Sequence, residues 1–278
     1  MRKKILITGG SGFLGYEVLK KLSKNRNYQV FSIINKKKIN KIKNLNCYQV
    51  NLLNKSNLKK VVDIINPDIV LHFAAFVNPG ENQKYKKKSK KINFLITKNL
   101  CDNLNKSCHI IFISTDKVYS KSNKRLKEKD LTFPSLEYAK NKIKSEKYII
   151  KNFIKYHIFR VPIIHDKGNL RSNSIVDKMI IKIKQKKITY VLSNLYRSFL
   201  YLEDFNSCII KSLTNKKFGI YNLGTKKMSY YERVRQISKK IKISPSKYLK
   251  SEENFLIKDS SIVLNSDKAK KILRQKFY

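Results

Sequence analysis

A glycine-rich turn near the start of the chain constrains the fold more than any other feature of the sequence. Residues 8–15 read TGGSGFLG and place Gly9, Gly12 and Gly15 between an apolar strand pattern at 4–8 and a helical pattern at 13–22. Glycine at these spacings lets the backbone turn tightly and approach a pyrophosphate, which the helix N-terminus then attracts. The turn therefore predicts a dinucleotide-binding site at the first strand–helix connection.

Strand and helix patterns then alternate through the first 165 residues. Strand patterns occur at 29–34, 47–50, 69–73, 109–114 and 156–161, with helical patterns at 56–65, 92–104 and 138–153 between them. Short links between such units are typical of an α/β fold with a doubly wound parallel sheet. We expect residues 1–165 to form a dinucleotide-binding domain. Residues 166–278 should form mainly a smaller α/β substrate-binding region, with a segment near 198–213 returning to the first domain.

The residues after the second predicted strand bear on the choice of cofactor. In NAD-binding domains a carboxylate about 20 residues beyond the glycine turn holds the ribose 2′-hydroxyl. Asn35 and Lys36 stand at this position, and two further lysines follow. Because a lysine can pair with a 2′-phosphate, the sequence favours NADP(H), with NAD(H) as the alternative.

Tyr138 and Lys142 have the Tyr-x-x-x-Lys spacing near the start of a predicted helix, which puts both side chains on one face. A neighbouring ammonium and an oxidised nicotinamide would both lower the pKa of a tyrosine, so Tyr138 is expected to exchange a proton near neutral pH. Thr115 follows the predicted strand at 109–114, and the carboxyl ends of such strands are where ligands bind. These three side chains are the candidate catalytic residues.

The motifs occur in the order found in the extended short-chain dehydrogenase/reductases, and the chain resembles that family over nearly its whole length. The matching segments are TGGSGFLG at 8–15, Asn51-Leu52, HFAA at 72–75, Asn93, STDKVY at 114–119, YAKNK at 138–142, FRVP at 159–162, RSFLYLEDF at 197–205 and LNSDKAKKIL at 264–273. The resemblance implies a Rossmann-type sheet and a catalytic triad of Thr115, Tyr138 and Lys142. It implies a cofactor site formed by Gly9, Gly12, Phe13, Leu14, Gly15, Asn35, Lys36, Asn51, Leu52, Ala74, Ala75, Tyr138 and Lys142. Asn51 departs from the aspartate that is usual in the family.

The family includes sugar-nucleotide epimerases, dehydratases and 4-ketoreductases. STDKVY and LNSDKAKKIL are similar to dTDP-4-dehydrorhamnose reductases, whereas RSFLYLEDF is more similar to the epimerases. In either case the resemblance implies that Arg197 binds the substrate diphosphate, and Asp116 is a further candidate substrate-binding residue. The Asp-Glu pair of the 4,6-dehydratases does not follow Thr115. We therefore expect an NAD(P)-dependent enzyme that reduces a 4-keto sugar nucleotide, with an epimerase as the alternative.

The formal net charge of +43 at pH 7 introduces an alternative of another class, a non-catalytic RNA-binding or regulatory member of the same fold. Basic surfaces bind nucleic acid by releasing counterions from phosphates. However, the 53 lysines and nine arginines are spread along the whole chain, and few aromatic residues stand among them. This pattern favours compositional drift over a nucleic-acid site. Either way, the positive field attracts anionic ligands such as sugar nucleotides.

The four cysteines, at 47, 101, 108 and 208, form neither a Cys-x-x-Cys pair nor a zinc-ligand spacing. We therefore expect free thiols in a reducing cytoplasm and no metal site. No apolar run has the length that a membrane span needs. A homodimer is a candidate assembly.

Overall fold

The computed structural model describes residues 2–39, 42–43, 45–120, 122, 124–253 and 261–277. The chain divides into two compact units. The first comprises Met1–Val118, Pro134–Arg160 and Ile209–Ile220, and the second comprises Tyr119–Phe133, Val161–Cys208 and Tyr221–Tyr278. From the C-terminal half of the chain, residues 209–220 thus belong to the first unit. They overlap the end of the segment near 198–213 that was expected to return to the first domain.

The strands are, in chain order, β1 (Lys3–Thr8), β2 (Tyr28–Ile34), β3 (Leu45–Gln49), β4 (Ile69–His72), β5 (His109–Thr115), β6 (Arg125–Leu126), β7 (Tyr156–Val161), β8 (Ile163–His165), β9 (Thr189–Leu192), β10 (Tyr196–Arg197), β11 (Phe199–Tyr201), β12 (Gly219–Asn222), β13 (Met228–Ser229), β14 (Leu249–Glu252) and β15 (Val263–Leu264). The α-helices are α1 (Phe13–Leu22), α2 (Lys55–Ile65), α3 (Pro79–Lys84), α4 (Lys86–Lys90), α5 (Ile96–Asp102), α6 (Glu137–Asn152), α7 (Ile175–Lys184), α8 (Leu202–Ser212), α9 (Tyr230–Lys240), α10 (Pro245–Tyr248) and α11 (Asp267–Leu273).

A sheet of seven strands, counted over the described residues, forms the centre of the first unit, in the order β12-β7-β5-β4-β1-β2-β3. Strands β3, β2, β1, β4 and β5 pair in parallel with their neighbours. Every residue of β4 and β5 is buried, as expected for strands that helices cover on both faces. The predicted α/β fold with a doubly wound parallel sheet is confirmed.

The strand order reverses between β1 and β4, because the chain runs outward from β1 to β3 and then returns to β4. Ligands of open α/β sheets bind outside the carboxyl ends of the strands at such a switch point. The glycine turn follows β1 and the segment containing Ala74 follows β4. The fold therefore brings two of the predicted cofactor segments to the point where a dinucleotide binds.

Helices α2, α5 and α6 pack apolar faces against the sheet. Leu58 and Val62 of α2, Leu100 of α5 and Ile149 of α6 belong to one buried cluster with Phe112 of β5 and other strand residues. Helix α2 begins where the Asn54 side chain accepts a 3.1 Å hydrogen bond from the backbone N–H of Asn57. It ends at Asn66, which adopts the left-handed conformation with φ 45°.

The helix predicted over 92–104 is not regular. Residues Lys91–Leu95 form a π-helical turn between α4 and α5. Within this turn the backbone oxygen of Asn93 accepts a 2.8 Å hydrogen bond from the Ser145 hydroxyl of α6. A side chain that engages a helix carbonyl disturbs the regular hydrogen-bond ladder, and π-turns are frequent at functional sites.

Over its described residues, the second unit contains four two-stranded pairings. Strands β6 with β15, β8 with β11 and β9 with β14 are parallel, whereas β10 with β13 is antiparallel. Its core contains Val176 and Ile180 of α7, Phe199 of β11, and Val234 and Ile237 of α9.

None of the described helices is both long and apolar enough to cross a membrane. The four cysteines are free thiols. Among the described residues, no group of three or more His, Cys, Asp or Glu side chains is arranged to hold a metal ion.

Candidate active site

Two glycines of the first turn are required by close backbone packing. Gly9 has φ +73°, and a Cβ atom there would lie 2.6 Å from the backbone nitrogen of Ala74. A Cβ at Gly15 would lie 2.4 Å from the backbone oxygen of Gly9. Both distances are shorter than side-chain carbons tolerate, so these glycines shape the turn itself.

Gly12 differs from the other two, because a Cβ there would meet only the Gly9 oxygen within 4 Å, at 3.2 Å. Gly12 is the N-cap residue of α1, and no side chain caps the helix N-terminus. Uncapped N–H groups at a helix N-terminus, with the positive end of the helix dipole, suit a phosphate. The residues present therefore fit a dinucleotide pyrophosphate at the N-terminus of α1, which Gly12, Phe13 and Leu14 form.

Asn35 and Lys36 lie directly after β2 and are exposed. Lys37 and Lys38, which follow them, are also exposed, and residues 35–39 contain no carboxylate. In NAD-binding domains this strand end meets the adenosine ribose. The lysines therefore present exposed ammonium groups directly beyond the end of β2.

Asn51 and Leu52 follow β3. The Asn51 side-chain oxygen accepts a 3.0 Å hydrogen bond from the backbone N–H of Leu53, and the Leu52 carbonyl accepts one of 3.0 Å from the Asn99 amide. The asparagine thus performs locally the turn-forming role that an aspartate carboxylate performs equally well.

His72, in the HFAA segment, connects β1, β4 and α5. Its Nδ1 lies 2.6 Å from the Thr8 hydroxyl and its Nε2 lies 2.9 Å from the Thr97 hydroxyl. Burial, helped by the charge of Lys142, lowers the pKa of His72 to about 3. His72 is therefore a neutral bridge between strands rather than a proton carrier at physiological pH.

Thr115 ends β5, and Asp116 follows it, with both side chains buried. The Thr115 hydroxyl donates a 3.2 Å hydrogen bond to Oδ1 of Asp116 and accepts one of 3.3 Å from the backbone N–H of Lys117. The hydroxyl is thereby held at the carboxyl end of the strand, as predicted from the sequence.

Tyr138 lies in the first turn of α6 and is 9% exposed. Burial raises the pKa of its phenol above the usual value near 10, and the negative charge of Asp116 adds to the shift. The lowered pKa predicted from the sequence depends on both the neighbouring ammonium and an oxidised nicotinamide. In the protein alone, desolvation of the phenolate dominates and the direction is the opposite.

Lys142 lies one helical turn after Tyr138, and its Nζ is 5.9 Å from the centroid of the tyrosine ring. Nζ also donates a 2.8 Å hydrogen bond to the backbone oxygen of Ile113 and lies 4.5 Å from the Phe112 ring centroid. Burial lowers the pKa of this ammonium to about 7, while Glu146 acts in the opposite direction. At neutral pH the amine therefore exchanges readily between its two protonation states.

Asn93 holds the segment that follows β4. Its side-chain oxygen accepts a 2.9 Å hydrogen bond from the Phe76 backbone N–H, and its amide nitrogen donates 3.1 Å to the Phe76 carbonyl and 2.8 Å to the Asn82 side chain. Asn93 thus stabilises the backbone next to Ala74 and Ala75.

The sequence reasoning did not single out Glu146 and Arg160. They form a buried ion pair in which Nη2 of Arg160 lies 2.7 Å from Oε2 of Glu146. The Ser114 hydroxyl donates to the other oxygen of the same carboxylate. The i+4 spacing indicates that Glu146 lies on the same helix face as Lys142, but it does not indicate which strand residues Glu146 contacts.

Arg197 lies in the second unit, on β10, and is half-buried. Among the described residues, its buried Nη1 atom has no hydrogen-bond partner. An unsatisfied guanidinium nitrogen costs free energy unless a ligand or water binds it. Arg197 therefore has donor capacity available for an anion.

A glycine turn lies at the switch point of the parallel sheet, and Thr115, Tyr138 and Lys142 lie on a strand and a helix of the same unit. This arrangement is typical of dinucleotide-binding α/β proteins. The chain belongs to the NAD dependent epimerase/dehydratase family, whose model matches residues 5–224. This confirms the resemblance to the extended short-chain dehydrogenase/reductases, and the family name agrees with the expected nicotinamide dinucleotide.

Relatives within this family differ in activity. The chain is 28% identical over 257 residues to a dTDP-D-glucose 4,6-dehydratase of Dictyostelium discoideum, covering 80% of this chain and 58% of that protein. It is 25% identical over 183 residues to the methionine adenosyltransferase 2 subunit beta of Bos taurus, covering 66% of this chain and 53% of that protein. The chain therefore spans little more than half the length of these relatives.

Among solved structures, the fold is similar to a dTDP-4-dehydrorhamnose reductase of Bacillus anthracis in complex with NADP. The TM-score is 0.82 with 20% sequence identity, and the match covers 98% of this chain and 93% of that one. At this identity the likeness shows the fold alone.

Proposed function

We propose that this chain is an NAD(P)-dependent sugar-nucleotide oxidoreductase that reduces a 4-keto sugar nucleotide. The single observation that carries the proposal is the placement of the Tyr-x-x-x-Lys pair, because Lys142 bonds the Ile113 backbone oxygen at 2.8 Å and so joins the helix of Tyr138 to the strand that ends at Thr115. A reduction begins with a protonated acid beside the substrate carbonyl, and a buried phenol with a raised pKa is in that state at neutral pH.

The proposed step adds a hydride to the carbonyl carbon of the sugar and a proton to its oxygen. The nicotinamide dinucleotide, when bound, supplies the hydride. Tyr138 donates its phenolic proton to the carbonyl oxygen, so that the C=O double bond becomes a CH–OH group and Tyr138 is left as a phenolate. The Thr115 hydroxyl turns its proton from Asp116 to the same oxygen and orients it. Lys142, as an ammonium, stabilises the phenolate until solvent returns the proton.

A sugar nucleotide fits the charge of the protein. Its diphosphate is an anion, and the formal net charge of the chain is +43. Arg197 is the residue that we assign to the diphosphate, because its Nη1 atom is buried without a hydrogen-bond partner in the described part of the chain. Asp116, through its hydrogen bond with Thr115, is assigned to the sugar end of the substrate.

An epimerase is the alternative within the same chemistry, supported by the RSFLYLEDF segment and by the family description. Epimerisation begins with oxidation of the substrate, which requires Tyr138 to accept a proton first. The STDKVY and LNSDKAKKIL segments favour the reductase over this alternative.

A regulatory subunit is the alternative of another class. It is supported by the 25% identity to methionine adenosyltransferase 2 subunit beta over 66% of the chain. A regulatory role gives no reason for Tyr138 and Lys142 to be buried on a helix that is bonded to the strand ending at Thr115.

The decisive experiment is a mass-spectrometric screen of sugar nucleotides and their 4-keto forms with NADH and NADPH. We expect a gain of two mass units in one 4-keto substrate, with oxidation of an equal amount of cofactor. Isomerisation without net cofactor oxidation would indicate the epimerase. No turnover, together with tight binding of RNA or of a protein partner, would indicate a binding module.

A further inference from the structure

A buried charge cluster lies one helical turn beyond the catalytic lysine. Glu146 and Arg160 are 2% and 4% exposed. Nε of Arg160 lies 3.2 Å from both carboxylate oxygens of Glu146, and its Nη2 lies 2.7 Å from Oε2. The carboxylate therefore has a guanidinium on one side, while the Ser114 hydroxyl donates to its Oε1 atom.

The cluster ties the catalytic helix to the catalytic strand at consecutive residues. Lys142 of α6 donates to the backbone oxygen of Ile113 at 2.8 Å. Glu146, four residues later on the same helix face, accepts from the hydroxyl of Ser114. Thr115 is the next residue of β5. Two side chains of α6 thus hold the strand immediately before the threonine that faces the substrate in the proposed reaction.

The charges around Lys142 come from several elements. Tyr138 and Glu146 lie on its own helix, neutral His72 lies on β4, Asp116 follows β5, and Arg160 is on β7. Of these groups, Glu146 is the one that raises the pKa of Lys142 against the effect of burial. The carboxylate therefore favours the ammonium form while Arg160 balances its charge.

We propose that Glu146 is a positioning residue that, with Arg160 as its partner, holds Ser114 and the adjoining Thr115 in place at the end of β5. This inference rests on the proposed function for its effect on turnover. Glu146 touches neither substrate nor cofactor in this account, and it acts through Ser114 and Lys142.

A buried ion pair is weak evidence for stability, since apolar residues of similar size often replace such pairs without loss of folding. This property separates a positioning role from a packing role. Replacing both partners, as in Glu146→Leu with Arg160→Met, leaves no unpaired charge in the core. If the pair only packs, the double variant should fold and turn over like the wild type.

The experiment compares Glu146→Gln, the Glu146→Leu/Arg160→Met double variant and Lys144→Gln, an exposed control on the same helix. Glutamine keeps an oxygen for Ser114 and removes the charge. For Glu146→Gln and for the double variant we expect kcat at pH 7.5 to fall at least about tenfold, less than the about 10²–10⁴-fold of a group that transfers the proton itself, because Glu146 acts through other residues. The difference in kcat between these variants and the wild type should become smaller towards pH 6. Without the carboxylate the pKa of Lys142 is lower, so a more acidic solution is needed to restore its ammonium form. Lys144→Gln should match the wild type.

A second readout does not need turnover. The pH dependence of NADPH affinity, followed by its fluorescence, should shift to lower pH in Glu146→Gln but not in Lys144→Gln. If folded Glu146→Gln and double-variant proteins keep the wild-type kcat and the wild-type pH dependence of affinity, the positioning role is overturned. If the wild type turns over no sugar nucleotide while the affinity profile still shifts, the proposed function fails and the role of Glu146 stands.

Discussion

Nζ of Lys142 donates a 2.8 Å hydrogen bond to the backbone oxygen of Ile113, two residues before Thr115. This bond joins the helix that carries Tyr138 to the strand that carries Thr115. All three proposed catalytic residues therefore belong to the first unit and to two directly connected elements.

The first prediction concerns the glycine turn. Gly12→Val should weaken NAD(P)H binding at least about tenfold, or about 1.4 kcal/mol, because a branched side chain enters the space expected for the pyrophosphate. The fold should survive, since a Cβ at Gly12 meets only one atom, at 3.2 Å. Calorimetric titration of NADPH into the folded variant measures the effect.

Gly15→Ala is the matched control for this prediction. Its Cβ would lie 2.4 Å from the Gly9 oxygen, so the variant should lose thermal stability as well as affinity. A folded Gly12→Val protein with wild-type affinity would show that the cofactor does not bind at this turn.

The second prediction concerns cofactor choice. We expect a preference for NADPH over NADH, because Asn35 and Lys36 occupy the place of a ribose-binding carboxylate. Lys36→Glu should reduce or reverse the preference by repelling the 2′-phosphate, whereas Lys24→Glu, an exposed charge change after α1, should not. The measurement is kcat/KM with each cofactor, and a tenfold or greater preference of the wild type for NADH would contradict it.

The third prediction concerns acid stability. Burial lowers the pKa of His72 and of His109 to about 3 and that of His165 to about 2, from an ordinary value near 6.5. Between these limits the unfolded chain binds more protons than the folded one, so stability falls as pH drops from about 6.5 towards 3. Each histidine contributes a slope of about 1.4 kcal/mol per pH unit in that window. Urea unfolding at pH 7.5, 6.0 and 5.0 tests this, and an unfolding free energy that stays constant from pH 7.5 to 5.0 would refute it.

Short-range sequence patterns predict most of the fold and part of the candidate site. The glycine turn, the buried strand at 109–114 and the Tyr138–Lys142 spacing are local, because each depends on the geometry of one element. The π-turn around Asn93 depends on Ser145, and the Glu146 cluster depends on Ser114 and Arg160 from two strands. Such contacts join residues distant in sequence, so spacing alone does not predict them. The pKa direction of Tyr138 depends on burial, which only the packed structure shows.

The measurement that tests the central claim most directly is turnover by Tyr138→Phe on the best substrate from the sugar-nucleotide screen. The change removes one oxygen and should leave the fold and NADPH affinity almost unaltered. If Tyr138 delivers the proton, kcat should fall by about 10²–10⁴-fold, the usual contribution of a positioned acid. Lys142→Met should lower kcat and weaken cofactor binding together. A Tyr138→Phe protein that retains wild-type turnover would contradict the catalytic assignment.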